Sequence, residues 1–158
     1  MRSKKAIRRI IPPDPIYGSR LLHKFINYVM VNGKKTVAQR LVYRALDQIK
    51  EQSKQDPLKI FETAIANVSP KMEVRPRRVG GASYQVPSEV RGDRKEALAI
   101  RWVIAGAESR PNKEYHTFDK KLAAEIMEAS GGTGVAMKKK EDIQKQAAAN
   151  RAFSHFRW

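Results

Sequence analysis

Apolar side chains recur at helical spacing through most of this sequence, and that periodicity constrains the fold more than any other feature. Residues three and four positions apart lie on one face of a helix, so an apolar stripe at this spacing predicts an amphipathic helix. The first stripe follows Ser19, a residue type suited to a helix N-cap, and ends at Asn32-Gly33. Its members are Leu21, Leu22, Phe25, Ile26, Val29 and Met30.

The same spacing predicts further helices along the chain. A second stripe covers 37–49, and a third begins at Asp56-Pro57, an N-cap acid followed by proline at the first helical position. Asp93 to Glu96 fit a capping box ahead of a helix that is apolar on most of its circumference, which is typical of a central, buried helix. A fifth stripe runs from Phe118 to Ala129, and residues 135–158 are mostly helix-forming.

Residues 72–90 break the helical pattern. Gly80-Gly81 separates two β-compatible segments and predicts a hairpin. Neither segment has a continuous apolar face, and Pro76 and Pro87 favour edge-type pairing, so the hairpin is not a core sheet. The fold class is therefore mostly α: a single domain of about six helices, with a projecting β-hairpin arm between the third and fourth helices.

The first 18 residues predict a basic N-terminal arm, because prolines 12, 13 and 15 block a helix there. The helical domain then covers 19–158. The chain carries 32 Lys+Arg against 16 Asp+Glu, a formal net charge of +16. An excess of this size attracts polyanions, either nucleic acid or an anionic membrane surface. It is concentrated in residues 1–50, whose 12 basic and 2 acidic side chains give a net of +10.

The sequence offers no set of residues for catalysis. It contains no cysteine, which excludes disulfides, thiolate metal sites and thiol nucleophiles. The histidines at 23, 116 and 155 share no metal-ligand spacing, and the glycine pairs lack the rest of a phosphate-loop motif. We therefore expect no enzyme, no metal and no cofactor. The sequence contains no run of about 18 apolar residues, so it predicts no membrane span.

The features that indicate function concern binding. One hairpin strand carries three arginines, Arg75, Arg77 and Arg78. The alternative is a solvated edge strand whose charges prevent aggregation, but lysines would serve that purpose as well. The planar guanidinium suits bidentate phosphate contacts and stacking on bases. Three lysines, Lys138 to Lys140, stand near the start of the last predicted helix, where the positive end of the helix dipole repels cations. This placement favours binding of an external anion there. At the C-terminus we expect Phe153 in the core and Trp158 against a base or a neighbouring protein.

Three alternatives to a structural RNA-binding role fit the sequence less well. A protein that bends duplex DNA usually inserts an apolar wedge from such an arm, whereas the tip here is Gly80-Gly81. A membrane-surface role would gather the basic residues on one long amphipathic helix, which this chain does not do. An RNA-modifying enzyme would need a cofactor or metal site that the sequence lacks.

Blocks of residues spread over nearly the whole chain resemble the family of bacterial small-subunit ribosomal protein seven. They are Asp14-Pro15-Ile16-Tyr17-Gly18-Ser19, Asn32-Gly33-Lys34-Lys35, Arg77-Arg78-Val79-Gly80-Gly81, Tyr84-Gln85-Val86-Pro87, Ala99-Ile100-Arg101-Trp102 and the ending Ala149 to Trp158. The resemblance implies six helices with a β-hairpin arm. It also implies a structural protein that binds the 3′ major domain of small-subunit ribosomal RNA (rRNA), organises the subunit head, and contacts exit-site transfer RNA (tRNA) and the messenger RNA (mRNA) exit path.

By that resemblance, the chain's basic residues divide between two RNA surfaces. Those expected to bind rRNA are Arg2, Lys4, Lys5, Arg8, Arg9, Arg20, Lys24, Lys34, Lys35, Arg75, Arg77, Arg91, Arg94, Lys95 and Arg101. Those expected to face tRNA or mRNA are Arg78, Gly80, Gly81, Tyr84, Lys138, Lys139, Lys140, Arg151 and Trp158. Neighbouring small-subunit proteins of the head and platform are the expected protein partners, with no membrane and no homo-oligomer.

The chain departs from the family pattern in two places. The loop before Phe118 is longer than expected and carries Glu114-Tyr115-His116, and Gln144-Lys145-Gln146 replace a common His-Arg-Met. No contact is carried over to residues 110–118 or 144–146. The expected location is the cytoplasmic ribosome, with an organellar ribosome left open.

Overall fold

Helices dominate the structure, a computed structural model that describes residues 10–156. The elements in this range are α1 (Arg20–Val29), α2 (Lys35–Ser53), α3 (Pro57–Val68), β1 (Met72–Val79), β2 (Ala82–Glu89), α4 (Gly92–Ser109), α5 (Phe118–Ser130), α6 (Val135–Ala149) and a C-terminal 3₁₀ helix (Arg151–Phe156). The predicted mostly α fold, with a hairpin between the third and fourth helices, is confirmed.

Two of the predicted helix starts are confirmed by their caps, and one is wrong. The Ser19 side chain accepts from the Leu22 amide at 3.4 Å, and Asp56 accepts from the Leu58 amide at 3.0 Å with Pro57 at the first position of α3. Asp93, by contrast, lies in the first turn of α4, whose N-cap is Arg91. The chain stays paired to the hairpin through Val90, whose amide donates to the Lys71 carbonyl at 3.1 Å. The helix therefore starts directly after this pairing ends.

The apolar stripes of the helices meet in one core. Phe25 of α1 and Phe61 of α3 contact edge to face, with ring centroids 5.0 Å apart. α5 packs against α2, α3 and α4 and is the central helix of the bundle. α4 buries one face, including Ile100 and Val103, but Trp102 and Ile104 are only partly buried. The expectation that α4 is buried on most of its circumference is therefore wrong.

A buried ionic cluster joins α4, α5 and the start of α6. The Arg110 guanidinium donates to Glu125 Oε2 at 2.6 Å and to Glu128 Oε2 at 2.5 Å, and the Glu125 side chain is 0% exposed. Glu125 Oε1 accepts from the backbone amide of Ala136 at 2.8 Å. A methyl group at Gly106 would lie 2.7 Å from Glu125 Oε1, so only glycine leaves room for this carboxylate. Burial by itself lowers the pKa of Arg110, but its hydrogen bonds to Glu128 and Glu125 outweigh burial and raise the pKa.

The hairpin is a regular antiparallel pair, with Met72 opposite Glu89 and Val79 opposite Ala82. Gly80 and Gly81 have φ angles of +58° and +90°, which suit glycine in a tight two-residue turn. The half of the hairpin near the helices buries Glu73, Val86 and Pro87, whereas the tip is exposed. α6 packs against β1, so the hairpin is fixed to the body at its base.

A tight turn at Asp14 attaches the chain ahead of α1 to α2. Asp14 is 2% exposed, and its carboxylate accepts from the amides of Ile16 and Tyr17 and from the Tyr43 hydroxyl at 2.8 Å. Asp14 and Tyr17 of the predicted arm therefore pack against the helical body, whereas Ile16 between them is exposed. Residues 1–9 of the arm lie outside the described residues.

This hydrogen bond predicts a pH-dependent contribution of Tyr43 to stability. Burial, followed by the hydrogen bond to Asp14, raises the pKa of Tyr43 to about 12, above the roughly 10 of an unfolded chain. We expect Tyr43→Phe to lower the free energy of unfolding by about 1–2 kcal/mol at neutral pH. Because the folded pKa is the higher one, the difference between the proteins is full below pH ~10 and shrinks as pH rises toward ~12.

Urea unfolding at a series of pH values measures this difference. Tyr28→Phe is the matched control, because it removes the hydroxyl of an exposed tyrosine on α1. A Tyr43→Phe protein as stable as the Tyr28→Phe protein at pH 7 would contradict the prediction.

Candidate nucleic-acid interface

The arginines of the hairpin lie on both of its faces. Residues paired across strands share a face, so Arg75 (opposite Val86) and Arg77 (opposite Tyr84) lie on one side, and Arg78 (opposite Ser83) lies on the other. All three are exposed. Because both faces carry arginine, the tip presents positive charge in two directions.

A groove of about 420 Å³ lies between the base of the hairpin and the start of α4. We call it the arginine groove, because the residues lining it include Arg75, Arg77, Arg91 and Arg94. Arg75 and Arg94 both form salt bridges with Glu73, which is 7% exposed. The structure thus brings four residues predicted to bind rRNA into one site.

Glu73 is a site residue that the sequence analysis missed. Its Oε1 accepts from Arg75 Nε at 2.5 Å, and its Oε2 accepts from Nε and Nη2 of Arg94, each at 3.2 Å. The strand alternation that places Glu73 on the same face as Arg75 was available in the sequence. Its link to Arg94, on another element, was not.

A second set of basic residues, which we call the α1–α4 surface, lies where α1 packs against the first half of α4, in a groove that Asp93 and Glu96 also line. Arg20 and Lys24 line a groove of about 630 Å³ there, and Lys24 Nζ donates to Glu96 at 2.8 Å. Arg101 is exposed, with its guanidinium 5.6 Å from the ring centroid of Tyr28. Lys95, a further residue predicted to bind rRNA, is half-buried on the first turns of α4.

The two lysines before α2 differ in their surroundings. Lys34 is exposed in the loop after α1, whereas the Lys35 ammonium donates to His23 Nε2 at 2.7 Å and is half-buried. Lys34 therefore presents its charge to solvent, and Lys35 is held against α1.

The C-terminal residues contact the hairpin more closely than the sequence analysis expected. The centroid of the Tyr84 ring lies 5.2 Å from that of Phe153 and 5.1 Å from that of Phe156, so β2 and the 3₁₀ helix share an aromatic cluster. Phe153 is half-buried on the hairpin and is not part of the helical core, which makes its expected core placement wrong. The cause is the end of α6 at Ala149, after which the chain turns toward β2.

The remaining predicted site residues are placed as follows. Lys138, Lys139 and Arg151 are exposed, whereas the Lys140 ammonium donates to the backbone carbonyl of Asn67. Lys140 thus joins α6 to the end of α3. Arg2, Lys4, Lys5, Arg8, Arg9 and Trp158 lie outside the described residues.

Within residues 10–156, no group of three or more histidine, aspartate or glutamate side chains is arranged to hold a metal ion. In the same range, no helix combines the length and the apolar character needed to cross a bilayer.

A small helical body with arginines on a hairpin and on the α1–α4 surface defines a basic protein of the nucleic-acid-binding class. The sequence profile of the family described as ribosomal protein S7p/S5e matches residues 1–151. The chain therefore belongs to the ribosomal protein S7p/S5e family, which confirms the family predicted from its motifs.

Relatives from distant bacteria match along essentially their full length. The chain is 56% identical, over 161 aligned positions and all of both chains, to the small ribosomal subunit protein uS7 of Thermotoga neapolitana. It is 55% identical to the protein of the same name from Carboxydothermus hydrogenoformans, over 96% of this chain and 95% of that protein. The Maricaulis maris protein of that name is 53% identical, over 99% of both.

Family membership settles the class of function. The chain is a structural protein of the small ribosomal subunit, with the RNA-binding and translation roles of its family. The family is not known to include enzymes, so the prediction of a non-enzymatic protein is confirmed by its relatives.

Proposed function

We propose that this chain binds the 3′ major domain of small-subunit rRNA and organises assembly of the subunit head. In this proposal the rRNA is bound by the N-terminal arm of residues 1–18, Lys34, the α1–α4 surface and the arginine groove. The hairpin tip and the C-terminal segment contact exit-site tRNA and the mRNA exit path. The chain acts as a monomer in the cytoplasmic ribosome, beside small-subunit proteins of the head and platform.

The observation that carries the proposal is the separation of the basic sites over the domain. The arginine groove lies between the hairpin base and the start of α4, the α1–α4 surface lies between α1 and α4, and Arg78 lies on the hairpin face opposite Arg77. A straight duplex contacts one face of a small domain, whereas a folded RNA junction can surround it. Junctions also expose unpaired bases, which proteins read more readily than the narrow major groove of A-form RNA.

Binding to isolated rRNA domains tests the rRNA part of the proposal. We expect the chain to bind a 3′ major domain transcript much more tightly than a 5′ domain transcript of similar length, at the same salt concentration. A duplex DNA of matched charge controls for attraction to any polyanion. Equal affinity for the three nucleic acids would leave only a generic basic protein and contradict the proposal.

The hairpin tip gives a separate prediction about tRNA. Because Arg77 and Arg78 are exposed, we expect Arg77→Ala with Arg78→Ala to leave the unfolding temperature within a few degrees of wild type. We expect reconstituted subunits that carry the pair to assemble, but to bind deacylated tRNA at the exit site about tenfold more weakly, as for lost charged hydrogen bonds.

Exit-site tRNA binding to these subunits is measured by filter retention. Lys59→Ala with Lys54→Ala, a pair of exposed cations remote in sequence from the hairpin, is the control for loss of charge. A large fall in the unfolding temperature of the arginine variant would show that these side chains serve the fold.

A further inference from the structure

We infer that Glu73 is a positioning residue that sets Arg75 and Arg94 to bind one RNA phosphate together in the arginine groove. This inference rests on the proposed function and deepens it, because it assigns a phosphate-binding role to a buried carboxylate. An acidic residue in an RNA interface would otherwise be expected only to weaken binding.

The geometry places both arginines on one carboxylate. Arg75 uses Nε and Nη2 on Oε1, and Arg94 uses Nε and Nη2 on Oε2. The Glu73 side chain is 9% exposed, whereas those of Arg75 and Arg94 are 55% and 47% exposed. Glu73 therefore lies beneath two guanidinium groups that remain open to solvent.

Each guanidinium keeps donors for a ligand. The group carries five N–H donors in a planar fork, and the contact with Glu73 uses the edge formed by Nε and Nη2. The edge formed by Nη1 and Nη2 is left to bind an anion through two parallel hydrogen bonds. Arg77 and Arg91 line the same groove, so its positive charge exceeds the negative charge of Glu73 and Glu89.

Fixing these side chains in advance favours binding. A free arginine loses up to about 2 kcal/mol of rotamer entropy when it is ordered, and preorganisation removes part of this loss from the binding step. Arg75 comes from β1 and Arg94 from α4, so without Glu73 no contact found in residues 10–156 would hold the two guanidinium groups together. The same contact fixes the base of the hairpin to α4.

The test is Glu73→Gln, for which this inference and simple electrostatics predict opposite changes in RNA affinity. Removing a negative charge beside RNA should tighten binding if charge alone matters. We expect Glu73→Gln instead to weaken binding of the 3′ major domain transcript by about tenfold, the loss typical of one charged hydrogen bond. The plot of log affinity against log salt should also become shallower, because the contact with one phosphate is lost.

Glu89→Gln is the matched control, since Glu89 is an exposed acid on the rim of the same groove. It should bind as tightly as wild type or slightly more tightly. Arg94→Lys keeps the charge but removes the planar fork, so it should lose about as much affinity as Glu73→Gln. The double variant should lose little more than either single one, because both changes disable the same site.

The outcomes separate this inference from the proposed function. A wild-type protein that does not prefer the 3′ major domain transcript overturns the proposed function and the inference with it. If the wild-type protein prefers the 3′ major domain transcript but Glu73→Gln binds it as tightly as wild type or more tightly, only the inference is overturned. If Glu73→Gln does not fold by circular dichroism, Arg94→Lys decides, because Arg94 is half-exposed and unchanged affinity in that variant rejects the site.

Discussion

The affinity of this chain for its rRNA domain is expected to fall by about 10³–10⁵-fold between 50 and 200 mM monovalent salt. Each cation that neutralises a phosphate releases a condensed counterion, so a protein with roughly 6–10 such contacts responds steeply to salt. The described residues supply exposed cations for that number on separate surfaces. They are Arg20, Lys34, Arg75, Arg77, Arg91, Arg94 and Arg101.

Filter binding of the 3′ major domain transcript across this salt range measures the slope. Arg91→Ala, which removes an exposed arginine of the arginine groove, should reduce it by about 0.7–0.9, the contribution of one phosphate contact. Lys59→Ala removes an equal charge from the exposed side of α3 and should leave the slope unchanged if that surface is free of RNA. A flat salt response in the wild-type protein would contradict phosphate neutralisation as the main source of affinity.

The helices and the hairpin turn were predictable because their causes are local. Ser19 and Asp56 cap the helices that follow them, and Gly80-Gly81 takes the positive φ angles of the turn. The start of α4 was mispredicted because a distant partner decides it. The pairing with the hairpin ends at Val90, whose amide donates to Lys71, and the helix begins directly after it with Arg91 as the N-cap, ahead of the cap that the sequence suggested at Asp93.

The buried charges were not predictable from their positions in the sequence. Glu73 and Glu125 carry no sequence mark that separates them from exposed acids such as Glu89 or Glu62. Their partners come from other elements, and only the packing of α4 on the hairpin and on α5 brings those groups together.

The C-terminal segment shows the same limit. The sequence predicted a helix-forming segment here, and residues 151–156 form a 3₁₀ helix, but the prediction that Phe153 lies in the core is wrong. The structure places it on Tyr84, which pairs with Arg77 toward the hairpin tip, so β2 makes an aromatic contact there that its own sequence pattern did not reveal. The hairpin is exposed at its tip and packed at its base.

The largest effect on stability is expected at the buried ionic cluster. We predict that Arg110→Ala lowers the free energy of unfolding by about 3–5 kcal/mol, because it leaves the Glu125 carboxylate, which is 0% exposed, without its partner. Urea unfolding at neutral pH measures the loss. Arg44→Ala, at an exposed position of α2, controls for the removal of an arginine side chain.

A second substitution separates the buried charge from lost packing. In the Arg110→Ala protein, Glu125→Gln removes the uncompensated charge but keeps an oxygen that accepts from the Ala136 amide. We therefore expect the double variant to be more stable than Arg110→Ala alone. A double variant no more stable than the single one would show that side-chain packing, rather than an unpaired carboxylate, causes the loss. Because Ala136 lies in the first turn of α6, the same cluster fixes the start of the helix that carries Lys138 and Lys139. Weakening it should therefore also disturb the contacts of α6 with the hairpin.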